Sequence, residues 1–169
     1  MTIKICISVL PKTVTEALDL IEKAESQQAD FIEVRMDRIK KHDQLADIAD
    51  CCNTPLIATN RSTKCQGKVM ESETRRQKIL FEVANSGFEY VDVELPTSHM
   101  KNIIGDLLET GTKLIVSFHD FNGTPNSTQL NRILQKEIAA EAEVCKIVTT
   151  ARSIEDNLTV LNFTYKACK

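Results

Sequence analysis

Short apolar runs rich in β-branched residues alternate with longer amphipathic stretches along the whole chain. The apolar runs predict six strands, at 3–9, 31–36, 56–60, 90–95, 114–119 and 144–148. The amphipathic stretches predict helices at 13–26, 44–52, 73–86, 98–109, 127–142 and 153–167. Strand centres recur about every 24 to 34 residues, which is the length of one βαβ unit. The pattern therefore predicts parallel strands with helices packed outside them.

Polar residues recur on one face of the predicted strands, close to their carboxyl ends. In the second strand, Glu33 and Arg35 alternate with apolar residues. The same alternation pairs Thr59 with Arg61, Asp92 with Glu94, and Ser117 with His119. A doubly wound open sheet would bury both faces under helices, so these polar faces fit it poorly. A TIM-type (β/α) barrel explains them, because its lumen accepts polar groups and its carboxyl-end rim carries the chemistry.

Composition limits the possible partners. The 169 residues are 42% apolar and carry a formal net charge of -3, without a basic block. This balance argues against nucleic acid or an anionic membrane surface and favours a small soluble ligand. The six cysteines are scattered, which predicts reduced thiols and a cytoplasmic protein, and no run approaches the length of a membrane span. Arg75 and Arg76 look like part of a solvated helix face.

A lysine interrupts the last predicted strand. Lys146 lies within the run 144–148, whose other members are valine, cysteine and isoleucine. Burial should shift this amine toward its neutral, nucleophilic form, which can attack a carbonyl to make an imine. Two simpler interpretations stay open: the stem lies on apolar surface while the head reaches water, or the lysine blocks pairing at a sheet edge.

His119 would lie at the same mouth of the barrel as Lys146, since their strands are adjacent and parallel. A lysine that holds a ketone as a protonated imine acidifies the neighbouring carbon. A histidine with a pKa near neutrality can remove that proton and return it to a leaving hydroxyl. Arg35 and Arg61 could hold a polar substrate. A divalent metal on Asp37, Asp92, Glu94 and His119 is the less favoured alternative, because the spacing of paired ligands is missing.

Five segments together resemble a known family. They are Phe31-Ile-Glu-Val-Arg-Met-Asp37, Thr59-Asn-Arg-Ser62, Tyr90-Val-Asp-Val-Glu94, Val116-Ser-Phe-His-Asp-Phe-Asn-Gly-Thr-Pro125 and Ala142-Glu-Val-Cys-Lys-Ile147. In order and spacing they are similar to type I 3-dehydroquinate dehydratase, over essentially the whole chain. The stretch around His119 followed by a strand lysine is the specific part of the match, and Glu-x-Arg-x-Asp alone would be weaker.

The resemblance implies a cofactor-free, metal-free lyase of the shikimate pathway that converts 3-dehydroquinate to 3-dehydroshikimate. The position matching Lys146 forms the Schiff base, and the position matching His119 is the general base and then acid. Positions matching Glu33, Arg35 and Arg61 bind the substrate, and Ser8 is a further contact to consider. The family fold is an eight-stranded α/β barrel, and a homodimer is the assembly considered.

Two departures from the family pattern stand out. An acidic residue that orients the catalytic histidine usually follows the arginine, whereas Cys65 is near that place here; Glu94 or Glu71 could substitute for it. The chain also has six βα units where the family has eight, so residues 1–169 are expected to form one barrel domain that is incomplete at its C-terminus. The alternatives are a non-catalytic fragment or subunit, a wall supplied by another chain, and another class I Schiff-base aldolase or lyase.

Overall fold

One parallel sheet of six strands runs through the molecule, with the strands paired in the order in which they follow along the chain. The computed structural model describes residues 3–68, 72–95, 97 and 100–168. The strands are β1 (Cys6–Val9), β2 (Phe31–Arg35), β3 (Leu56–Thr59), β4 (Tyr90–Glu94), β5 (Lys113–Asp120) and β6 (Val144–Thr149). A doubly wound sheet reverses its strand order at a switch point, and this sheet does not. The sheet is a curled half-barrel, so the predicted TIM-type fold with six units is confirmed.

A helix follows each of the six strands. The helices are α1 (Val14–Ser26), α2 (Leu45–Ala49), α3 (Glu73–Asn85), α4 (Met100–Glu109), α5 (Ser127–Ala139) and α6 (Ile154–Ala167). Their order is the predicted one, although α2 is shorter than 44–52 and α5 ends before 142. The predicted start of the fourth helix at Ser98 lies outside the described residues. Short 3-10 helices at Met36–Arg38 and Thr63–Cys65 follow β2 and β3 and were not predicted.

Side-chain caps fix where the helices begin. The Thr13 hydroxyl accepts a hydrogen bond from the backbone N–H of Glu16 at 3.1 Å. Asn126 and Gln129 form a reciprocal capping box at the start of α5. Such caps satisfy backbone N–H groups that have no partner within the helix.

The apolar core lies between the outer face of the sheet and the helices. Ile32 and Val34 of β2 are fully buried against this layer, as are Ile21 of α1 and Leu80 of α3. The opposite face of the sheet carries the polar residues. The parallel register places Ser8 beside Glu33, Thr59 beside Asp92, and Glu94 and Lys146 on either side of Ser117. The alternation in the sequence therefore produces one apolar face and one charged face of the sheet.

Burial falls off at the last unit of the sheet. β3 and β4 are buried along their whole length, whereas the residues of β6 are half-buried or exposed. None of the 14 residues of α6, all within the described part of the chain, is buried. An apolar stripe on this helix faces outward, made of Ile154, Leu158, Leu161 and Tyr165. The two strands at the ends of the sheet are thus the less buried ones, since β1 is exposed at Cys6 and Ser8 and β6 is half-buried or exposed along its length.

Candidate active site

Lys146 projects from β6 into the lumen and meets two carboxylates there. Its Nζ lies 2.9 Å from Glu33 Oε1 and 3.1 Å from Asp92 Oδ2, and its side chain is 30% exposed. Burial acts to lower the pKa of this amine, but Asp92 and Glu33 outweigh that effect, so the pKa is raised above its ordinary value. The prediction of an uncharged lysine is therefore wrong. Two carboxylates from distant strands hold Lys146 as an ammonium.

Arg61 anchors one of those carboxylates. Its Nη2 lies 2.9 Å from Asp92 Oδ2, its Nη1 lies 3.2 Å from Glu94 Oε1, and Ser117 Oγ donates to Asp92 Oδ1 at 2.6 Å. Asp92 is 1% exposed and Arg61 is 5% exposed. Burial works against ionisation of Asp92, but Arg61 and then Lys146 hold its pKa below the ordinary value. The lumen thus contains a densely paired ionic cluster in which Asp92 and Arg61 are buried.

The loop after β3 holds Arg61 in this position. The backbone N–H of Gly67 donates to Ser62 O at 2.8 Å, which closes the loop over the 3-10 helix. A Cβ placed at Gly67 would lie 1.9 Å from the carbonyl oxygen of Arg61 and 2.8 Å from that of Ser62. Backbone atoms occupy the space that any side chain at this position would need. Only glycine permits so close an approach.

Glu33 has a different set of neighbours. Its carboxylate accepts hydrogen bonds from the hydroxyls of Ser8 and Thr59, the latter at 2.8 Å, in addition to Lys146. The nearest Arg61 nitrogen is 3.7 Å away. Burial raises the pKa of Glu33, but Lys146 and the hydroxyl groups bring it below the ordinary value. Ser8, predicted from the resemblance, is therefore placed beside this carboxylate.

His119 lies on the same strand face as Ser117, the register partner of Lys146. Its ring stacks on Phe121 with 5.9 Å between centroids. Burial, followed by the positive charge of Arg61, lowers the pKa of His119 to about 4, and Lys146 adds to the effect. The prediction of a pKa near neutrality is wrong, because burial and then the positive charges of Arg61 and Lys146 lower this pKa more than Asp92 and Glu94 raise it. Among the described residues its buried Nδ1 has no hydrogen-bond partner.

Of the two acidic residues considered as partners for His119, the structure describes Glu94 and not Glu71. Cys65 is buried and burial raises its pKa, so it is a neutral thiol beside Glu94. Glu94 accepts from Arg61 and from the backbone N–H of Ser62. Glu71 lies outside the described residues. Among the described residues, the contact recorded for the His119 ring is the stacking on Phe121, and no carboxylate is bonded to its Nδ1.

Arg35 is separate from the Lys146 cluster. Its guanidinium donates two hydrogen bonds to Asp37, from Nε to Oδ1 at 2.7 Å and from Nη2 to Oδ2 at 2.9 Å. The side chain of Arg35 is 17% exposed. It therefore lies at the rim of the lumen rather than inside it. Asp37 also accepts from the backbone N–H of Lys68 at 3.1 Å, which connects the loops after β2 and β3.

Sequence reasoning missed two features of the site. Asp92, which was predicted on the polar face and given no role except as an alternative metal ligand, contacts both Lys146 and Arg61. Arg76, expected on a solvated helix face, is 4% exposed, bonds Glu73 at 2.7 Å and lies 3.9 Å from Glu94. A signal for Arg76 was present, because it falls on the same helical stripe as the buried Ile79, Leu80 and Val83.

Neither a metal cluster nor a membrane span is found in the part of the chain that the structure describes. No three His, Cys, Asp or Glu side chains there are grouped to hold a metal ion. The alternative metal site fails because Asp37, Asp92 and Glu94 are each paired with arginine. No helix in the described ranges is both long and apolar enough to cross a membrane.

The fold and the lumen cluster together define a TIM-type barrel protein with a lysine and a histidine at one mouth. The family model for type I 3-dehydroquinase matches residues 5–169, and the chain belongs to that family. It is 30% identical over 164 residues to the 3-dehydroquinate dehydratase of Methanococcus maripaludis strain C7, covering 96% of this chain and 74% of the relative.

Other relatives give the same assignment. The 3-dehydroquinate dehydratase of Dehalococcoides mccartyi strain BAV1 is 31% identical over 140 residues, covering 83% of this chain and 62% of its own length. The chain thus spans about three fifths of that relative. The crystal structure of the Geobacillus kaustophilus enzyme superposes with a TM-score of 0.91 at 24% identity, over 99% of this chain and 69% of that one. This likeness establishes the fold.

Proposed function

We propose that the protein is a Schiff-base lyase that dehydrates 3-dehydroquinate to 3-dehydroshikimate in the shikimate pathway. Membership of the type I 3-dehydroquinase family supports this activity. The observation that carries it is the position of Lys146, whose amine enters the lumen from the same face of the sheet as His119 on the neighbouring strand. The imine forms on Lys146, and His119 acts as general base and then as general acid.

The proposed steps divide between Lys146 and His119, and the first step requires Lys146 as the free amine. Lys146 attacks the ketone and loses water to form a protonated imine, which draws electrons from the neighbouring carbon. The imidazole of His119 is unprotonated at neutral pH, since its pKa is about 4, so it can accept the proton from that carbon. The protonated ring then returns the proton to the departing hydroxyl, and water leaves. Hydrolysis of the imine releases the product and frees the lysine.

The residues proposed to bind the substrate differ in how exposed they are, and this difference suggests different roles for them. Arg35 at the rim has the more accessible guanidinium and is the candidate for a contact with the substrate's polar groups. Arg61 is already engaged by Asp92 and Glu94, so we assign it to fixing those carboxylates around the substrate. Ser8 and Glu33 form the β1–β2 wall of the same pocket and contact substrate hydroxyls. We assign no cofactor and no metal to the reaction.

A second candidate function is a non-catalytic or incomplete barrel. The exposed apolar stripe of α6 and the 62% coverage of the D. mccartyi relative favour it. In this alternative, residues 1–169 are one incomplete domain whose remaining wall comes from a longer chain or from another subunit. The homodimer and the cytoplasmic location stay predictions.

Covalent capture tests the proposal. Wild-type protein is incubated with 3-dehydroquinate and borohydride, and its intact mass is measured. We expect one reduced adduct, which is lost in Lys146→Ala because the nucleophile is gone. Lys113→Ala is the matched control, since Lys113 lies on the neighbouring strand in an exposed pair with Glu89. A folded wild-type protein without adduct, or an adduct that persists in Lys146→Ala, would favour the non-catalytic alternative.

A further inference from the structure

The positive charge of Lys146 means that the proposed reaction needs a group that removes a proton from this amine. An ammonium has no lone pair, so it must give up a proton before its nitrogen can attack a carbonyl. The surroundings of Lys146 oppose that loss, because both adjacent carboxylates raise its pKa. A group that touches the amine and can take its proton would remove the obstacle. Only Glu33 and Asp92 lie within hydrogen-bond distance of Nζ among the described residues.

The two carboxylates differ in what remains when Lys146 loses its charge. Asp92 keeps a full argininium, since Arg61 donates to Oδ1 at 3.3 Å and to Oδ2 at 2.9 Å. Ser117 donates to it as well. Glu33 is left mainly with two neutral hydroxyls, because Arg61 is 3.7 Å away and makes no hydrogen bond to it. The loss of the lysine charge therefore makes Glu33 the more basic of the two.

The other charged and titratable groups around the pair support the same asymmetry. Glu33 faces Lys146, Arg61 and the thiol of Cys6, whose pKa burial raises, so that thiol stays neutral. Lys146 faces Glu33, Asp92 and Arg61, together with the neutral ring of His119. For Glu33, the charge of Lys146 is the largest influence that lowers the pKa. For Asp92, that influence is Arg61.

We propose that Glu33 is a catalytic residue that shuttles protons for imine formation at Lys146, while Asp92 stays ionised as the counter-ion of the protonated imine. This inference rests on the Schiff-base chemistry of the proposed function. Glu33 accepts a proton from the ammonium, the freed nitrogen bonds to the carbonyl carbon, and the oxygen receives that proton. Glu33 then removes a second N–H proton and passes it to the hydroxyl, which departs as water.

The atoms and charges balance without another reactant. Ammonium and ketone become protonated imine and water; two protons of the ammonium leave in the water, and the third stays on nitrogen. Glu33 ends as the carboxylate that it was at the start. Asp92 remains anionic throughout, so the positive charge of the imine keeps a buried partner at the point where the amine had one.

Glu33→Gln separates proton transfer from charge, because the two roles predict opposite effects. Removing a carboxylate lowers the pKa of Lys146 and leaves more free amine, so a purely electrostatic role predicts faster capture at neutral pH. A proton shuttle predicts capture slower by about 100-fold, since general acid–base groups typically contribute that much. The glutamine keeps the size of the side chain and its hydrogen bonds to Ser8 and Thr59. Nitrogen-15 NMR of the lysine amine checks that its pKa has fallen.

The experiment measures the rate of capture by 3-dehydroquinate with cyanoborohydride at several pH values. Formaldehyde serves as a second probe that needs no binding site, with the Lys146 and Lys113 peptides quantified together. Lys113→Ala leaves both carboxylates beside Lys146 in place and is the control, with capture expected at the wild-type rate. Circular dichroism checks that Glu33→Gln is folded.

The outcomes distinguish this inference from the proposed function. A wild-type protein that reacts with formaldehyde at Lys146 but gives no adduct with 3-dehydroquinate overturns the function, and the formaldehyde rates still test Glu33. Capture in Glu33→Gln that equals or exceeds the wild-type rate, with either probe, overturns the inference and leaves the lyase intact. Partial recovery in Glu33→Asp, which restores a carboxylate on a shorter side chain, would support the shuttle.

Discussion

Helices α1 and α6 begin alike and end up in opposite environments. Both follow a strand and carry an apolar stripe, but α1 buries Ala17, Ile21 and Ala24, whereas Leu158 and Leu161 of α6 are 52% and 65% exposed. The first helix packs on β1, β2 and α2, while the last packs on α5. The comparison shows that an apolar stripe predicts a helix and a direction for its packing. It does not predict that a partner is there to cover it.

The sheet repeats this difference, with a consequence for the site. Asp92 lies on the fully buried β4, whereas Lys146 lies on the half-buried β6. Charges separated from water attract each other more strongly than exposed ones. The carboxylates are therefore fixed by the covered part of the molecule, and Lys146 reaches them from the more exposed strand.

The largest expected contrast comes from truncating one residue in each helix. Ile21→Ala should reduce the free energy of unfolding by about 3 kcal/mol, because it leaves a cavity in the core. Leu158→Ala should change it by less than about 0.5 kcal/mol, because the side chain is already in contact with water. Urea denaturation of both variants beside wild type measures the two values. Equal losses would mean that something covers α6 in solution, and a dependence on protein concentration would identify a second copy.

A buried glutamate in α5, which lies between the two regions, gives the next effect. Glu137 is fully buried, both of its oxygens lack hydrogen-bond partners among the described residues, and burial, aided by Asp92, raises its pKa to about 8. Its pKa is higher in the folded protein than in the unfolded chain. The protonated form of Glu137 therefore favours the folded protein. Its contribution to the free energy of unfolding is complete below about pH 4.5 and is lost as the pH rises through about 8.

Glu137→Met should remove this pH dependence. We expect the variant to be more stable than wild type by about 2 kcal/mol above pH 8, and closer to it in acid, since a buried charge no longer has to be accommodated. Urea denaturation at both ends of that pH range tests this, with the exposed Glu109→Met as control. A stability that is independent of pH in the wild type would contradict the environment described for Glu137.

The smallest effect on stability should come from adding charge to the open stripe. Leu158→Lys with Leu161→Lys should shift the free energy of unfolding by less than about 0.5 kcal/mol. The pair should nevertheless reduce self-association, because it interrupts an exposed apolar surface. Sedimentation velocity measures this, with Thr164→Lys as a control off the stripe. Unchanged self-association would show that other surfaces bring the molecules together.

Local sequence patterns were sufficient for the strands, the helices and the polar face of the sheet. Alternation placed Glu33, Asp92 and His119 on the lumen correctly, because side-chain direction along a strand depends only on position parity. The charge of Lys146 and the pKa of His119 were beyond such reasoning. Both depend on which side chains from other strands come within a few ångströms. The register of the strands decides this, and the local sequence around either residue does not specify the register.

For Arg76, by contrast, the local sequence did indicate burial, because this residue lies on the apolar stripe of its helix. The general preference of arginine for water led to the wrong prediction there. Three partners from other segments, Asn60, Thr97 and Glu94, make its burial favourable. Composition-based expectations therefore fail where long-range partners compensate a charge.

The position of Arg61 in the site depends on the backbone of the loop around Gly67 as well as on the side chains that Arg61 contacts. A methyl group introduced there would collide with the carbonyl of Arg61, and relief would require the chain after β3 to shift. Arg61 would move with it, and the aspartate and lysine bound in series beyond it would lose their alignment. A residue without a side chain thus helps to position Lys146, although three helices, α3, α4 and α5, separate the two along the chain.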